Sequence, residues 1–201
     1  MTGGQNAPIT AVRATSRIAP SVGVLTRPDD APGPGRVTVT VDPVTEAHRP
    51  PQSHVLLVCS AGGHLTQLLR LKPWWERHDR TWVTFDKADA RSHLAGERTV
   101  WAHHPTTRNI PNLLRNLLLA RRVLRAERPD VVVSDGAGVA VPFFWLARRM
   151  GIATVYVEVF DRVESPTLTG RMCRPVTDLF CVQWPEQQQH YKGSIVIGPL
   201  L

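Results

Sequence analysis

The chain has little of what marks several large protein classes. Its three cysteines, Cys59, Cys173 and Cys181, sit among apolar residues with no CxxC spacing. They build no disulfide framework and fit a reducing, cytoplasmic setting. Uncharged runs are short: the longest near the middle, 136–147, falls well below the roughly 20 apolar residues that span a bilayer. Residues 1–20 lack the apolar core of a signal peptide, so export is not expected. A GxGxxG fingerprint, a Walker lysine and an HExxH motif are all absent, which removes the ready assignments to a dinucleotide enzyme, a P-loop NTPase or a zinc hydrolase. The His103-His104 pair has no cysteine ligand set nearby, so neither a metal nor a cofactor is expected. Aromatic residues make up 6% and charged residues 20%, yet 42% is hydrophobic. That balance excludes a collagen-like or wholly disordered chain and leaves a mainly globular protein.

What the 201 residues do have is positive charge. Lys and Arg number 24 against 17 Asp and Glu, a net charge of +7 with a pI near 10.1, which favours an anionic partner such as a phosphate or a membrane surface. No aromatic-interleaved basic patch or base-reading motif accompanies the charge, so nucleic acid is not the expected partner. Residues 1–52 hold eight of the 17 prolines and no Phe, Trp or Tyr. Such a segment buries too little apolar surface to offset the entropy of ordering it, and a disordered Pro/Gly-rich tail is expected. Within it the alternating RVTVTVD at 36–42, set among Pro and Gly, reads as a docked or disordered segment.

From residue 53 the texture changes. HVLLVC at 54–59 reads as a buried strand that ends in the turn Ser60-Ala61-Gly62-Gly63. Leu65, Leu68, Leu69 and Leu71 give the following helix its apolar face, and Pro73 is expected to end it before Trp74 and Trp75. The alternation continues with strands at 80–85, 99–102, 130–133, 153–158, 179–182 and 195–197, and helices at 111–127, 137–150 and 167–173. Continuous Val/Ile-rich strands between helices argue for a parallel sheet covered on both faces, because they lack the polar alternation of a solvated sheet. The expected fold is a Rossmann-like α/β domain over 53–201. In the helix at 111–127, Ile110, Leu113, Leu114, Leu117, Leu118 and Leu124 recur at helical spacing and are expected in the core. Arg115, Arg121, Arg122, Arg125 and Arg128 accompany them; they suit the negative end of the helix dipole, and beside an anionic leaflet each supplies about 1 kcal/mol of attraction.

Open parallel sheets bind ligands beyond the C-terminal ends of their strands, where helix N-termini present unpaired N–H groups to anions. Two glycine turns fall there, Ser60-Ala61-Gly62-Gly63-His64 and Ser134-Asp135-Gly136-Ala137-Gly138. Taken singly, each is equally well explained as the tight strand-to-helix turn that any doubly wound domain needs. Their shared position favours two loops gripping one diphosphate, with His64 projecting into the same space. Asp86 ends the second strand where the ribose-binding acid of a nicotinamide enzyme would lie, a rival reading without its glycine fingerprint. Glu158 ends another strand and opens a loop containing Phe160, Asp161, Arg162, Glu164 and Ser165. These groups suit the orientation of a sugar or the work of a base; the plainer reading is a solvated loop with one Arg–carboxylate pair.

The stretches SAGGHLTQL (60–68), WVTFDKADARS (82–92), PTTRNIPNL (105–113), PDVVVSDGAGVAVPFF (129–144), YVEVFDRVESPTLTGRMCRPVTDLFCVQWPE (156–186) and IGPL (197–200) resemble the PssD type of capsular and exopolysaccharide biosynthesis protein. More distantly, they resemble the acceptor-side subunit of the split eukaryotic N-acetylglucosaminyltransferase that extends dolichol-linked chitobiose. The resemblance implies the N-terminal half of a GT-B glycosyltransferase whose donor-binding, catalytic half is a separate polypeptide. It implies a non-autonomous subunit that binds a polyprenyl-diphosphate-linked sugar acceptor at the cytoplasmic face of the membrane and recruits that partner. By similarity to the single-chain peptidoglycan-precursor transferase, His64 and Glu158 are the catalytic candidates. Ser60, Gly62, Gly63, Ser134, Gly136, Gly138 and Arg162 are the expected acceptor and diphosphate contacts. Gly198, Pro199, Leu200 and Leu201 follow the last strand as an apolar segment, which the resemblance assigns to the partner interface with Trp184 as an aromatic anchor. The membrane anchor of the eukaryotic relatives has no counterpart here, so attachment is expected to be peripheral, on an anionic membrane, or through the partner. Two other readings stand beside this one: a self-sufficient Rossmann-like nucleotide-binding enzyme, and a scaffold that only stabilises or localises its partner.

Overall fold

A computed structural model of the chain describes residues 52–106 and 109–200. Residues 1–51 of the expected tail, with the alternating stretch at 36–42, lie outside the described residues, as does Leu201. Seven strands form one sheet: β1 (His54–Val58), β2 (Asp79–Phe85), β3 (Thr99–Ala102), β4 (Val131–Ser134), β5 (Ala153–Val157), β6 (Leu179–Val182) and β7 (Ile195–Val196). Their order is β3-β2-β1-β4-β5-β6-β7, and every neighbouring pair is parallel. The crossovers carry α1 (Gly63–Arg70), α2 (Lys72–Trp75), α3 (Ala88–His93), α4 (Ile110–Glu127), α5 (Ala140–Arg149) and α6 (Leu168–Cys173). This is the expected Rossmann-like architecture.

Alternation along β1 explains its composition. Val55, Leu57 and Cys59 enter one core with Leu65, Leu68, Trp75 and Trp82, under α1, α2 and α3. Leu56 and Val58 enter the other with Phe143, Phe144, Tyr156 and Phe180, under α4, α5 and α6. Both faces are dry, so a central strand has to be apolar at consecutive positions. All three cysteines are free and buried in these layers, and burial pushes the thiols of Cys173 and Cys181 up to about 12 and about 11.

The structure departs from expectation at several helix boundaries. Pro73 does not end the helical run; it sits in the first turn of α2, where a missing N–H leaves no bond unmade. Trp75 is then buried edge-on to Trp82, ring centroids 5.6 Å apart, and its Nε1 donates to the Leu68 carbonyl at 2.9 Å. α3 carries no clear apolar period and was not anticipated. α5 begins at Ala140 rather than at 137, because Gly136 and Ala137 have φ of 118° and 59°, values a right-handed helix does not admit.

The larger correction concerns α4. Ile110, Leu113, Leu114, Leu117 and Leu118, expected in the core, are exposed, with Ile110 and Leu118 both at 70%; Leu124 is buried as expected. The inward face of the first half carries Asn112 and Asn116 instead. Asn116 accepts from the His103 N–H and donates to the His103 carbonyl, both at 2.9 Å, while Asn112 donates to the Pro105 carbonyl at 2.9 Å. These amides satisfy loop backbone that is withdrawn from water beside the helix. Apolar periodicity registers the leucines and not that need, and so selects the wrong face. Leu118→Gln should change the unfolding free energy by less than about 0.5 kcal/mol, whereas Leu124→Ala should lower it by about 2–5 kcal/mol. Urea denaturation of the two variants separates these outcomes, and equal losses would return the leucine stripe to the core.

Candidate functional site

β1 pairs with β2 on one side and with β4 on the other, so the direction of winding reverses at β1. At such a reversal the crossover helices diverge and leave a crevice beyond the strand ends. The turns after β1 and β4 are neighbours for this reason. Between them opens a cleft of about 740 Å³, lined by Ser60, Gly63, His64 and Gln67 on one side and by Asp135, Ala137 and Gly138 on the other. His104, Pro105 and Thr106 and the loop from Val159 to Arg162 complete its walls.

At the floor, His64 Nδ1 lies 3.1 Å from Asp135 Oδ2; the carboxylate side chain is fully buried and the imidazole 30% exposed. Among the described residues neither Asp135 oxygen nor His64 Nδ1 makes a hydrogen bond of good geometry, so the two side chains meet as a close polar contact that nothing else shares. Burial pushes the Asp135 carboxyl up to about 6, against the opposing pull of His64. Burial also disfavours an imidazolium at His64, but the nearby Asp135 carboxylate, with a smaller pull from Asp161, outweighs it, and the ring ends above its ordinary value. Both groups therefore hold a proton more tightly than they would in water. With Nδ1 turned to Asp135, Nε2 is the ring nitrogen left to the cleft.

Glycine is required at two points of the second turn. A Cβ on Gly136 would stand 2.8 Å from the Tyr156 hydroxyl and 3.3 Å from His64 Cε1, and the φ of 118° already excludes most side chains. A Cβ on Gly138 would crowd Thr106 at 3.1 Å, so its absence lets the β3–α4 loop close the wall.

The structure brings only part of the expected set into the cleft. Ser60, Gly63, His64, Gly138 and Arg162 line it. Gly62 does not: its N–H donates to Asp89 Oδ2 at 2.7 Å, so a carboxylate from α3 already takes the donor expected for a diphosphate. Ser134 is buried, and its Oγ accepts from the Gly136 N–H at 3.0 Å, which shapes the turn; Gly136 itself lies behind the lining. Asp86, the rival ribose ligand, is taken by a two-pronged pair with Arg91 at 2.5 and 2.8 Å.

Glu158 requires a correction. Its carboxylate is buried and absent from the lining, and it accepts from Thr167 Oγ1 at 2.9 Å, from the Val159 N–H at 3.1 Å and from the Tyr191 hydroxyl. Burial raises its pKa in spite of these bonds. With its oxygens engaged, it ties the β5–α6 loop to the body of the domain and offers no base to the cleft. Trp184 is half-buried with Nε1 donating to the Phe160 carbonyl at 2.8 Å. Leu200 and Gly198 are half-buried and Pro199 is exposed, while Leu201 lies outside the described residues. The sequence reading missed Asp135 as a site residue, and with it Gln67, Lys87, His104 and Tyr156 in the lining. Asp135 stood in the turn already singled out; its relation to His64 follows only once β1 and β4 are paired.

A family model described as "Oligosaccharide biosynthesis protein Alg14 like" matches residues 97–200, just over half of the chain. The chain belongs to the Alg14-like family. The UDP-N-acetylglucosamine transferase subunit ALG14 of Mus musculus is 27% identical over 180 residues, covering 73% of this chain and 82% of that relative. The subunit of the same name from Eremothecium gossypii is 29% identical over 187 residues, covering 76% and 82%. Among solved structures, Acinetobacter baumannii MurG superposes with a TM-score of 0.57 at 18% identity, over 67% of this chain and 42% of MurG. S. aureus MnaA gives 0.60 at 12% identity, over 74% and 46%. At these identities the likeness concerns the fold, and in each case the match spans less than half of the larger protein, as fits one Rossmann-like half of a GT-B architecture. The Alg14 side of the earlier resemblance is thus shown, and the PssD-type capsular side is not.

Replacing Asp135 tests the pair directly. Folded His64 and Asp135 both hold protons more tightly than in the unfolded chain. Their favourable contribution is therefore complete below about pH 4 and is lost as pH rises, through about 6 for Asp135 and through the raised value for His64. Asp135→Asn should move the His64 titration, followed by its ring proton resonances, from above 6.5 to below it, since burial, the largest influence, then faces only the weaker pulls of Asp161 and the backbone at residue 135. The stability of the variant relative to wild type should improve as pH rises from 4 to 7; an unmoved His64 titration would show that the two side chains are not coupled.

Proposed function

We propose that this chain is the acceptor-side half of a two-chain GT-B glycosyltransferase. In this reading it binds a polyprenyl-diphosphate-linked sugar acceptor at the cytoplasmic face of a membrane and recruits a donor-binding subunit that completes the active site. The product is a lipid-linked oligosaccharide; a capsular or exopolysaccharide destination is the narrower version that the PssD resemblance suggests. The observation that carries the reading is the His64–Asp135 pair at the floor of a strand-end cleft, in a chain whose relatives are named transferase subunits.

Sugar transfer makes a bond from an acceptor hydroxyl to the anomeric carbon of the donor sugar, breaks the bond to the departing nucleoside diphosphate and releases the hydroxyl proton. His64 Nε2, neutral, takes that proton, and the buried Asp135 carboxylate stabilises the imidazolium as it forms. Ser60, Gly63 and Gly138 line the wall where the acceptor diphosphate lies. Lys87 and Arg162 add full charges, and Phe85 and Phe160 offer apolar faces to a sugar ring. Residues 198–201 and Trp184 are the proposed contact with the donor-binding subunit.

α4 supports the membrane part of the proposal. Its exposed leucines are followed by exposed Arg121, Arg122 and Arg125, which pairs an apolar surface for the acyl boundary with charge for anionic headgroups. Among the described residues no helix is long and apolar enough to cross a membrane, and the contact proposed is peripheral.

The purified chain should neither turn over nor show stoichiometric micromolar binding of a uridine-diphosphate sugar in isothermal titration, and should support transfer once combined with its donor-binding subunit. His64→Ala should then reduce transfer by about 10²–10⁴-fold with co-purification of the two chains unchanged. Turnover by the chain alone, or a wild-type rate from His64→Ala, overturns this assignment.

Flotation with anionic liposomes examines α4. High salt should weaken binding, because exposed charges are screened beyond about 8 Å at physiological ionic strength, and changing Arg121, Arg122 and Arg125 to Gln should shift the protein to the soluble fraction. Flotation indifferent to both would remove α4 as the contact.

A further inference from the structure

Gln67 and Gln183 take no part in the chemistry above, yet both are almost fully buried, at 5% and 1% exposure. Gln183 follows β6, and its amide can be oriented from backbone groups alone. The Leu200 N–H, which can only donate, stands 2.7 Å from one amide atom; that atom is therefore Oε1. The Glu158 carbonyl, which can only accept, stands 2.9 Å from the other; that atom is therefore Nε2. Gln183 Nε2 also donates to Gln67 at 2.6 Å, so the facing atom of Gln67 is its Oε1. The relay leaves Gln67 Nε2 with two N–H groups that donate to nothing among the described residues.

Gln67 lies on α1 three residues after His64, on the same helix face, and lines the same cleft. Gln67 Nε2 is not sealed away from the cleft, so its two N–H groups are free to donate to whatever occupies it. We infer that Gln67 is a ligand-binding donor of the cleft, aimed by Gln183, and that it receives a neutral oxygen of the acceptor sugar, a hydroxyl or an acylamido carbonyl. An uncharged amide suits an uncharged oxygen, whereas Arg162 and Lys87 suit the diphosphate. Gln183 does not line the cleft; it is a positioning residue, held by the backbone at residues 158 and 200. The inference rests on the proposed acceptor site and deepens it.

The test uses the full chain combined with its donor-binding subunit and measures kcat and KM for a polyprenyl-diphosphate-linked acceptor analogue. Gln67→Met, similar in length and without the amide, should raise the acceptor KM about three- to tenfold, with kcat within about twofold and the donor KM unchanged. Gln183→Met frees Gln67 to turn and should raise the acceptor KM to a similar degree. The double variant should be no worse than the worse single one, because both changes remove one shared interaction. Additive losses would mean that Gln183 acts only through general packing and would overturn its positioning role. If Gln67→Met fails to fold, as judged by its thermal transition, Gln67→Glu is read in its place, since it keeps an oxygen for Gln183 and loses both donors. A wild-type pair that transfers sugar while the folded Gln67 variant keeps a wild-type acceptor KM overturns this inference and leaves the proposed function standing. A wild-type pair that transfers nothing overturns both.

Discussion

A carboxylate removed from water has to be neutralised by a proton or matched by a cation, and at Asp135 the side chain placed to do so among the described residues is His64. That constraint organises the centre of the molecule. It needs the turn after β4 to stand beside the turn after β1, which the parallel β1–β4 pairing supplies. It needs an open backbone at Gly136, so that the imidazole and the Tyr156 hydroxyl can close over the turn. It also needs one side of the imidazole free, and the cleft lies on that side. Burial and the partner's charge act against each other at both groups, and the balance leaves each holding its proton more tightly than in water.

Around this pair, the walls of the cleft are held by side-chain amides and carboxylates that bond loop backbone. Asn112 and Asn116 fasten the loop after β3, Glu158 with Thr167 and Tyr191 fastens the loop after β5, and Gln187 donates to the Val159 and Arg162 carbonyls at 2.8 and 3.2 Å. Loops that turn inward to build a cleft cannot take water on every backbone group, so the fold provides polar side chains from the neighbouring elements. A buried polar residue here marks where a loop is clamped at least as often as where chemistry happens. Glu158 and Ser134 are instances of the former, whereas Asp135 opens onto the cleft beside His64.

The same requirement reshapes α4. Its two asparagines occupy the sheet-facing side of the first half, and the leucines turn outward as a consequence. An exposed apolar stripe of this extent is uncommon on an isolated soluble domain and points to a covering surface. Loop clamping and the exposed apolar stripe are thus two faces of one helix: what α4 must do inward for the cleft decides what it presents outward.

The strands from 53 onward, the helices α1, α4, α5 and α6, the parallel arrangement and the two glycine turns were legible in the residues, whereas α2 and α3 were not. HVLLV is apolar at consecutive positions because a central parallel strand has no wet face, and Leu65 and Leu68 follow it at helical spacing for the same core. His64, Ser60, Gly63, Gly138 and Arg162 were legible as cleft residues because loops at strand ends are where this topology binds ligands. What tertiary structure alone decided is which polar groups meet. Asp135 and His64 are distant in the chain and touch through strand register; Glu158 and Gly62 were expected to face a ligand and instead found partners in Tyr191, Thr167 and Asp89. The outward turn of the α4 leucines belongs with them. Local periodicity reports that a helix has an apolar stripe, but which stripe faces the sheet depends on the hydrogen-bonding needs of a neighbouring loop, and those needs exist only once the chain is folded.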